Sequence, residues 1–160
     1  MRLYIMRHGP AEDFSATGRD GDRKLTASGR DRTRDVAKLL LANGEAPLRI
    51  VASPLVRTRE TADIVAHVAG VSEVALAEEM APGGDSPLLV RELARGDHDR
   101  VMVVGHEPDL GDLVAELVGR PPALGMQKAM VVGIECTASQ NELSFTRLFV
   151  LDPKTLTIER

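Results

Sequence analysis

Short apolar runs that stop at a charged residue or a glycine recur along the chain, and they predict buried strands. The clearest run covers residues 101–104, and residues 3–6 and 48–52 have the same form. Continuous apolar runs of this length are typical of parallel strands that are covered on both faces. Further strands are expected near residues 73–77, 129–135, 144–151 and 155–159, and the short turns that join the later ones favour antiparallel pairing.

Apolar residues at helical spacing separate these runs and predict four helices. They cover residues 26–43, 54–69, 86–94 and 108–118. Thr26 is the expected N-cap of the first helix, and Gly44 its expected end. Strands that alternate with helices predict the α/β class, here a three-layer sandwich with a central, mostly parallel sheet. Its 160 residues suit a single domain over 1–160. Residues 10–24, rich in Gly, Asp, Arg and Ser, are expected to form a mobile loop.

Composition narrows the classes of function. The chain has 20 Lys and Arg against 24 Asp and Glu, a net charge of −4, and only 2% aromatic residues, which argues against a nucleic-acid partner. The single cysteine, Cys136, excludes an intramolecular disulfide and a multi-cysteine zinc cage, and is expected to be a small buried apolar residue. Neither a signal peptide nor a membrane span is evident, so we expect no membrane partner and a cytoplasmic location.

Three predicted strands end in basic or imidazole side chains. The first strand runs into Arg7 and His8, the second is followed by Arg57 one turn into the next helix, and the strand at 101–104 runs into His106. Ligands bind at the carboxyl edge of open α/β sheets. If the three strands are neighbours, these four side chains therefore form one site.

Such a cluster suits a phosphoryl group. Two guanidiniums match its oxygens with charge and paired hydrogen bonds. A neutral imidazole can attack phosphorus, nearby cations favour that form by lowering its pKa, and a second imidazole, if protonated, would stabilise developing charge. Gly9 allows a close approach of the backbone to the phosphate. The helix N-termini after Ser53 and Glu107 are expected to offer N–H groups to the anion.

The motif Arg7-His8-Gly9 at the end of the first strand resembles the signature of the histidine phosphatase superfamily, also called the phosphoglycerate mutase-like family. Three further motifs match in order and spacing: Leu25-Thr26-x-x-Gly29, Ser53-Pro54-x-x-Arg57-x-x-x-Thr61-Ala62 and Gly105-His106. The resemblance covers nearly the whole chain. The short length and the segment Gly83-Gly84-Asp85 are most similar to the small bacterial phosphohistidine phosphatases of the SixA type.

The resemblance implies the phosphoglycerate mutase-like fold and a role for each candidate residue. His8 would be the phosphorylated nucleophile, Arg7 and Arg57 would bind the phosphoryl oxygens, and His106 would be the second active-site histidine. No metal or other cofactor is implied.

The general acid of the wider family, a glutamate after the third strand, has no convincing counterpart. The candidates are Asp85, Glu78, Glu79, Glu12 and Asp13, or no residue at all. Asp85 is better explained as a helix cap. Glu107 is expected to be a solvated residue at the rim of the site. Arg23 could reach the substrate from the loop at 10–24. Because an imidazole nitrogen leaves phosphorus without much help, a weak or absent acid favours a phosphohistidine substrate over an alkyl phosphate.

The expected function is therefore a metal-independent phosphatase that works through a phosphohistidine intermediate and acts on phosphohistidine in a protein, such as a histidine-containing phosphotransfer domain. Two alternatives stay open. One is a phosphatase of the same fold for small phosphate monoesters, and the other is a non-catalytic module that binds a phosphorylated ligand. The sequence leaves the partner protein and the oligomeric state open.

Overall fold

The computed structural model describes residues 1–140 and 142–160, and it confirms the predicted alternation of strands and helices. In chain order the elements are β1 (Arg2–Arg7), α1 (Ala27–Ala42), β2 (Arg49–Ala52), α2 (Val56–Ala69), β3 (Val74–Leu76), α3 (Ser86–Arg95), β4 (Arg100–Gly105), α4 (Asp109–Val118), β5 (Val131–Ala138), β6 (Leu143–Asp152) and β7 (Thr157–Glu159). None of the helices in residues 1–140 and 142–160 combines the length and the hydropathy that a membrane-spanning helix needs.

The strands form a single sheet in the order β3-β2-β4-β1-β5-β6-β7. The first four pair in parallel, whereas β5, β6 and β7 extend the sheet by antiparallel pairs, as the short connections predict. Strand β4 lies between β1 and β2, with Val104 in register with both Met6 and Ala52. The carboxyl ends of the three strands therefore lie side by side, which is the condition for one site.

Two apolar clusters cover the two faces of the sheet. Alternate residues of β1 point to opposite faces, so Leu3 and Ile5 join the cluster of α3 and α4 while Tyr4 and Met6 join that of α1 and α2. This arrangement confirms the three-layer sandwich. Cys136 is 3% exposed within the first cluster. Burial raises the pKa of its thiol to about 12, so it is the inert packing residue that the sequence predicts.

Two helices begin later than the sequence suggests. The helix predicted from residue 54 starts at Val56, because the chain is still extended at Leu55. The helix predicted from residue 108 starts at Asp109, with Pro108 as its N-cap. The cap predicted at Thr26 is confirmed, since its side chain accepts the Gly29 N–H at 3.0 Å.

The loop over residues 10–24 is irregular but extensively hydrogen-bonded. Its ends are joined by a bridge between Ala11 and Leu25, and residues Asp20–Asp22 form a 3₁₀ turn. Within it Thr17 donates to an Asp22 carboxylate oxygen at 2.6 Å, and Arg23 donates to the Glu12 carbonyl at 3.0 Å. Hydrogen bonds from polar side chains thus stabilise this loop, as backbone hydrogen bonds stabilise helices and strands.

Helix α1 approaches the end of β1 so closely that glycine is needed on both sides. A Cβ at Gly29 would overlap the Pro10 carbonyl oxygen, and a Cβ at Gly9 would overlap the Thr33 hydroxyl. Both clashes involve atoms that are fixed, since Pro10 O accepts the Thr26 N–H and the Thr33 hydroxyl donates to Gly29 O at 2.8 Å. The packing of α1 therefore fixes the backbone that follows His8.

We expect Gly29→Ala to lower the free energy of unfolding by about 1–3 kcal/mol, the usual cost of forcing extra atoms into a packed contact. Chemical denaturation measures this change. The exposed neighbour Ser28→Ala is the matched control and should change it by less than about 0.5 kcal/mol. Equal effects of the two substitutions would contradict the close approach of α1 to Pro10.

Candidate active site

The four candidate side chains meet at the carboxyl edge of the parallel strands. His8 follows β1 and His106 follows β4, with their imidazole centroids 5.5 Å apart, while Arg57 lies in the first turn of α2. His8, Arg57 and His106 are each no more than 5% exposed, and Arg7 is half-buried. The structure therefore brings together all four residues that the sequence singles out.

The hydrogen bond of His8 defines its tautomer. Its Nδ1 lies 2.7 Å from the Gly9 carbonyl oxygen, which only accepts, so Nδ1 carries the proton and Nε2 keeps its lone pair. Burial, together with His106, Arg57 and Arg7, lowers the pKa of His8 to about 3, although the Gly9 hydrogen bond raises it. His8 is thus a neutral ring with a free nucleophilic nitrogen.

Thr61, on α2, links the backbone that follows His8 to the backbone of Arg57. Its hydroxyl accepts the Gly9 N–H at 3.0 Å and donates to the Arg57 carbonyl at 2.7 Å. The backbone beside His8 and the backbone of Arg57 are therefore joined through one buried side chain.

His106 is held by Ser53. Its Nε2 lies 2.8 Å from the Ser53 hydroxyl oxygen, which accepts the Leu55 N–H at 3.3 Å. Burial and the charge of Arg57 lower the pKa of His106 to about 4, although Asp109 and Asp20 raise it. A neutral ring that accepts the serine proton at Nε2 carries its own proton on Nδ1, which is buried without a hydrogen-bond partner among the described residues. His106 therefore offers an uncharged N–H donor, not the protonated imidazole considered from the sequence.

Each arginine is fixed along one edge of its guanidinium. Arg7 donates from Nη1 to the Met126 carbonyl at 2.8 Å, and Arg57 donates from Nη1 to the Asp20 carbonyl at 3.0 Å and from Nη2 to the Asp20 carboxylate at 3.1 Å. In both, Nε is buried and has no partner within the described residues. Burial lowers the pKa of both guanidiniums, and the remaining donors are oriented before a ligand arrives.

This arrangement can hold a tetrahedral oxyanion next to a nucleophile. The two arginines supply charge and N–H donors, and His106 adds another donor. His8 is part of the same cluster, and its Nε2 carries the lone pair that can act as a nucleophile. A cluster of three or more His, Cys, Asp or Glu side chains suited to a metal ion does not occur in the described residues.

The carboxylates considered as general acids lie in other settings. Asp85 caps α3 by accepting the Leu88 N–H at 3.0 Å, which confirms its interpretation as a helix cap. Glu12, Asp13 and Glu78 are exposed, and Glu79 is half-buried in a 3₁₀ turn. Arg23 pairs with Asp20 at 2.9 Å and so supports the loop beside Arg57.

Sequence reasoning misassigned Glu107 and missed three contacts. Glu107 is half-buried and not a freely solvated residue at the rim, since its carboxylate accepts the Gly111 N–H at 3.2 Å and the Met126 N–H. For the same reason the start of α4 does not offer all its N–H groups to an anion, since Glu107 takes that of Gly111. The contacts of Asp20, Ser53 and Met126 were missed; only Ser53 lay in a motif that could have drawn attention to it.

The neutral rings of His8 and His106 predict a simple spectroscopic result. Both should stay unprotonated at pH 5.5, well below the ordinary histidine pKa of about 6.5, with the proton on Nδ1 in each ring. Nitrogen-15 chemical shifts of imidazole-labelled protein report protonation and tautomer directly, and His8→Ala and His106→Ala assign the signals. Protonation of either ring near pH 6.5 would contradict the burial described here.

Comparisons with known proteins agree with this geometry. Residues 3–81 match the model of the histidine phosphatase superfamily, branch 1. Phosphohistidine phosphatase SixA of Escherichia coli (strain K12) is 33% identical over 121 residues, covering 73% of this chain and 74% of its own. An uncharacterised protein of Picosynechococcus is 33% identical over 145 residues, 88% of each chain. A structure of the protein histidine phosphatase SixA complexed with tungstate superposes with a TM-score of 0.87 at 28% identity and covers 98% of this chain and 100% of its own. The chain therefore belongs to the histidine phosphatase superfamily, as a SixA-like phosphatase.

Proposed function

We propose that this protein is a metal-independent phosphohistidine phosphatase that dephosphorylates histidine in a protein through a phosphorylated His8. The observation that carries the proposal is the tautomer of His8. Its Nδ1–H is committed to the Gly9 carbonyl, which leaves Nε2 as a nucleophile in a cluster with two arginines whose Nε–H groups have no partner among residues 1–140 and 142–160. A structure of the relative SixA contains tungstate, a tetrahedral oxyanion, which supports binding of an oxyanion by this family.

The first step transfers the phosphoryl group to His8. Nε2 attacks phosphorus in line, a new P–N bond forms, and the P–N bond to the substrate imidazole breaks. If the other nitrogen of the substrate ring already carries a proton, the leaving group departs as neutral imidazole and needs no proton from the enzyme. Arg7, Arg57 and the Nδ1–H of His106 stabilise the charge on the three phosphoryl oxygens.

The second step restores the enzyme. Water attacks phosphorus, a P–O bond forms, the bond to His8 Nε2 breaks, and inorganic phosphate leaves. The Nδ1–H of His8 stays on the Gly9 carbonyl throughout, so the ring keeps its orientation in both steps. Positive charge comes from guanidiniums, which is why the proposal includes no metal ion.

The setting of the carboxylates supports a P–N substrate. An alkyl phosphate leaves as an alkoxide that needs a proton, whereas an imidazole does not. Asp85 is committed to capping α3, and Glu12, Asp13 and Glu78 are exposed to water. A carboxylate kept protonated by burial beside His8 would have favoured an alkyl ester instead.

Exposed apolar side chains support a protein as the substrate. Phe14 is 85% exposed on the loop that holds Arg57 through Asp20, and Leu124 is 82% exposed on the segment that holds Arg7 through Met126. Phe14 also lines a groove of about 690 Å³ together with Val56, the residue before Arg57. Exposed apolar side chains on the two segments that hold the arginines offer contacts to a protein surface around its phosphorylated histidine, which a small metabolite has no groups to use.

We expect His8→Ala to lower kcat/KM at least about a thousandfold, because no other group replaces the nucleophile. Mass spectrometry of wild-type enzyme quenched under alkaline conditions, in which phosphohistidine survives, should find phosphate on His8. His67→Ala, which removes an exposed histidine on α2, is the matched control and should leave kcat/KM unchanged. Activity of the wild type should also survive a chelator; a fully active His8→Ala enzyme would overturn the mechanism.

A substrate panel tests the specificity. We expect kcat/KM to be highest for a phosphorylated histidine-containing phosphotransfer domain, lower for a phosphohistidine peptide, and lowest for sugar phosphates, with a chromogenic aryl phosphate as a reference. Phe14→Ser should lower the value for the protein substrate but not for the aryl phosphate. Leu41→Ser, at the far end of α1, is the control. A preference for sugar phosphates would assign the enzyme to small monoesters.

A further inference from the structure

We propose that Glu107 is a positioning residue that sets the orientation of the Arg7 guanidinium through the backbone of Met126. The inference rests on the proposed role of Arg7 as a phosphoryl ligand. It assigns a function to a side chain outside the four residues of the proposed phosphoryl site.

The contacts form a continuous chain. One carboxylate oxygen of Glu107 accepts the Met126 N–H, and the Met126 carbonyl accepts a hydrogen bond from Nη1 of Arg7 at 2.8 Å. The other carboxylate oxygen accepts the Gly111 N–H at 3.2 Å, in the first turn of α4. Glu107 therefore connects the start of α4 to Met126, the residue whose carbonyl holds Arg7.

The segment that carries Met126 depends on such a contact. It connects α4, which ends at Val118, to β5, which begins at Val131, and no α-helix or strand lies between them. The Met126 side chain is 1% exposed in the apolar cluster of α3 and α4, which fixes one side of the residue. The hydrogen bond to Glu107 fixes the peptide group between residues 125 and 126. Together with the buried side chain it holds Met126 at two points, and so restrains the following peptide group, whose carbonyl binds Arg7.

Gly111 makes room for the Glu107 carboxylate. A Cβ at Gly111 would lie 2.9 Å from one Glu107 oxygen, whereas a Cβ at Gly125 would lie 3.5 Å from the other, an ordinary contact distance. The carboxylate thus fits between the start of α4 and the Met126 segment, and a larger residue at 111 would displace it.

Charge and position predict opposite effects when Glu107 is changed. Burial lowers the pKa of Arg7 and the negative charge of Glu107 raises it, so the carboxylate also acts on the guanidinium electrostatically. Removing that charge alone would make the site more positive and tighten anion binding. Removing the hydrogen bond to Met126 would free the carbonyl that orients Arg7 and weaken binding. The sign of the change in anion affinity therefore separates the two roles.

A double-mutant cycle tests the proposal, with tungstate affinity from calorimetry and kcat/KM for an aryl phosphate as readouts. We expect Glu107→Ala to lower both by about tenfold to a hundredfold, as misplacement of a binding group does. In an Arg7→Ala background the same substitution should have no further effect, whereas in an Arg57→Ala background its full effect should remain. Glu116→Ala, an exposed carboxylate on α4 that pairs with Arg91, is the matched control and should change neither readout.

Glu107→Gln provides a second variant that keeps the size of the side chain. Its amide keeps one accepting oxygen but presents N–H groups to one of the two backbone donors, so we expect an intermediate loss. Tighter tungstate binding in either variant, or equal losses in all backgrounds, would overturn the inference. If Arg7→Ala itself leaves tungstate binding unchanged, the proposed role of Arg7 fails instead, and the two failures are thus distinguishable.

Discussion

Two guanidiniums and two imidazoles are removed from water at one edge of the sheet, and the cost of burying four potential cations, to which their mutual repulsion adds, is the constraint on which the site depends. The structure resolves it by keeping both rings neutral, with pKa values of about 3 for His8 and about 4 for His106. Each arginine is then held by a backbone carbonyl, and Arg57 also by Asp20. The guanidinium N–H groups can be buried because some of them have hydrogen-bond partners in the protein. The N–H groups that remain are suited to binding an anion.

The strand ends could be predicted from the sequence because parallel strands leave a strong local signal. Residues 3–6 and 101–104 are apolar throughout, since both faces of the sheet are covered, and the first charged residue marks the edge. Because β4 lies between β1 and β2, the strand order alone places His8 and His106 at neighbouring strand ends. The cap at Thr26 was equally predictable, because capping depends on residues close in sequence.

The supports of the site could not be predicted, because they join segments that are distant in sequence and irregular. Asp20 reaches Arg57 across 37 positions, and Met126 reaches Arg7 across 119. Glu107 resembled a surface residue because nothing near it in sequence shows that the Met126 segment passes over it. Such contacts leave no periodic pattern in the sequence, because the backbone N–H and C=O groups of loops find their hydrogen-bond partners individually and not at a regular spacing.

The register of the three central strands has a consequence for how this enzyme can diversify. Met6, Val104 and Ala52 lie in one row, and the hydrogen bonds continue beyond it from Ser53 N–H to Val104 O and from His8 N–H to Gly105 O. A slip of one residue would shift a strand by about 3.3 Å and turn its side chains to the other face. The register therefore fixes the strand ends that carry His8 and His106, whereas Asp20 and Met126 hold the two arginines from the loops at 10–24 and 119–130. Changes in these loops are thus expected to alter anion binding and substrate range together.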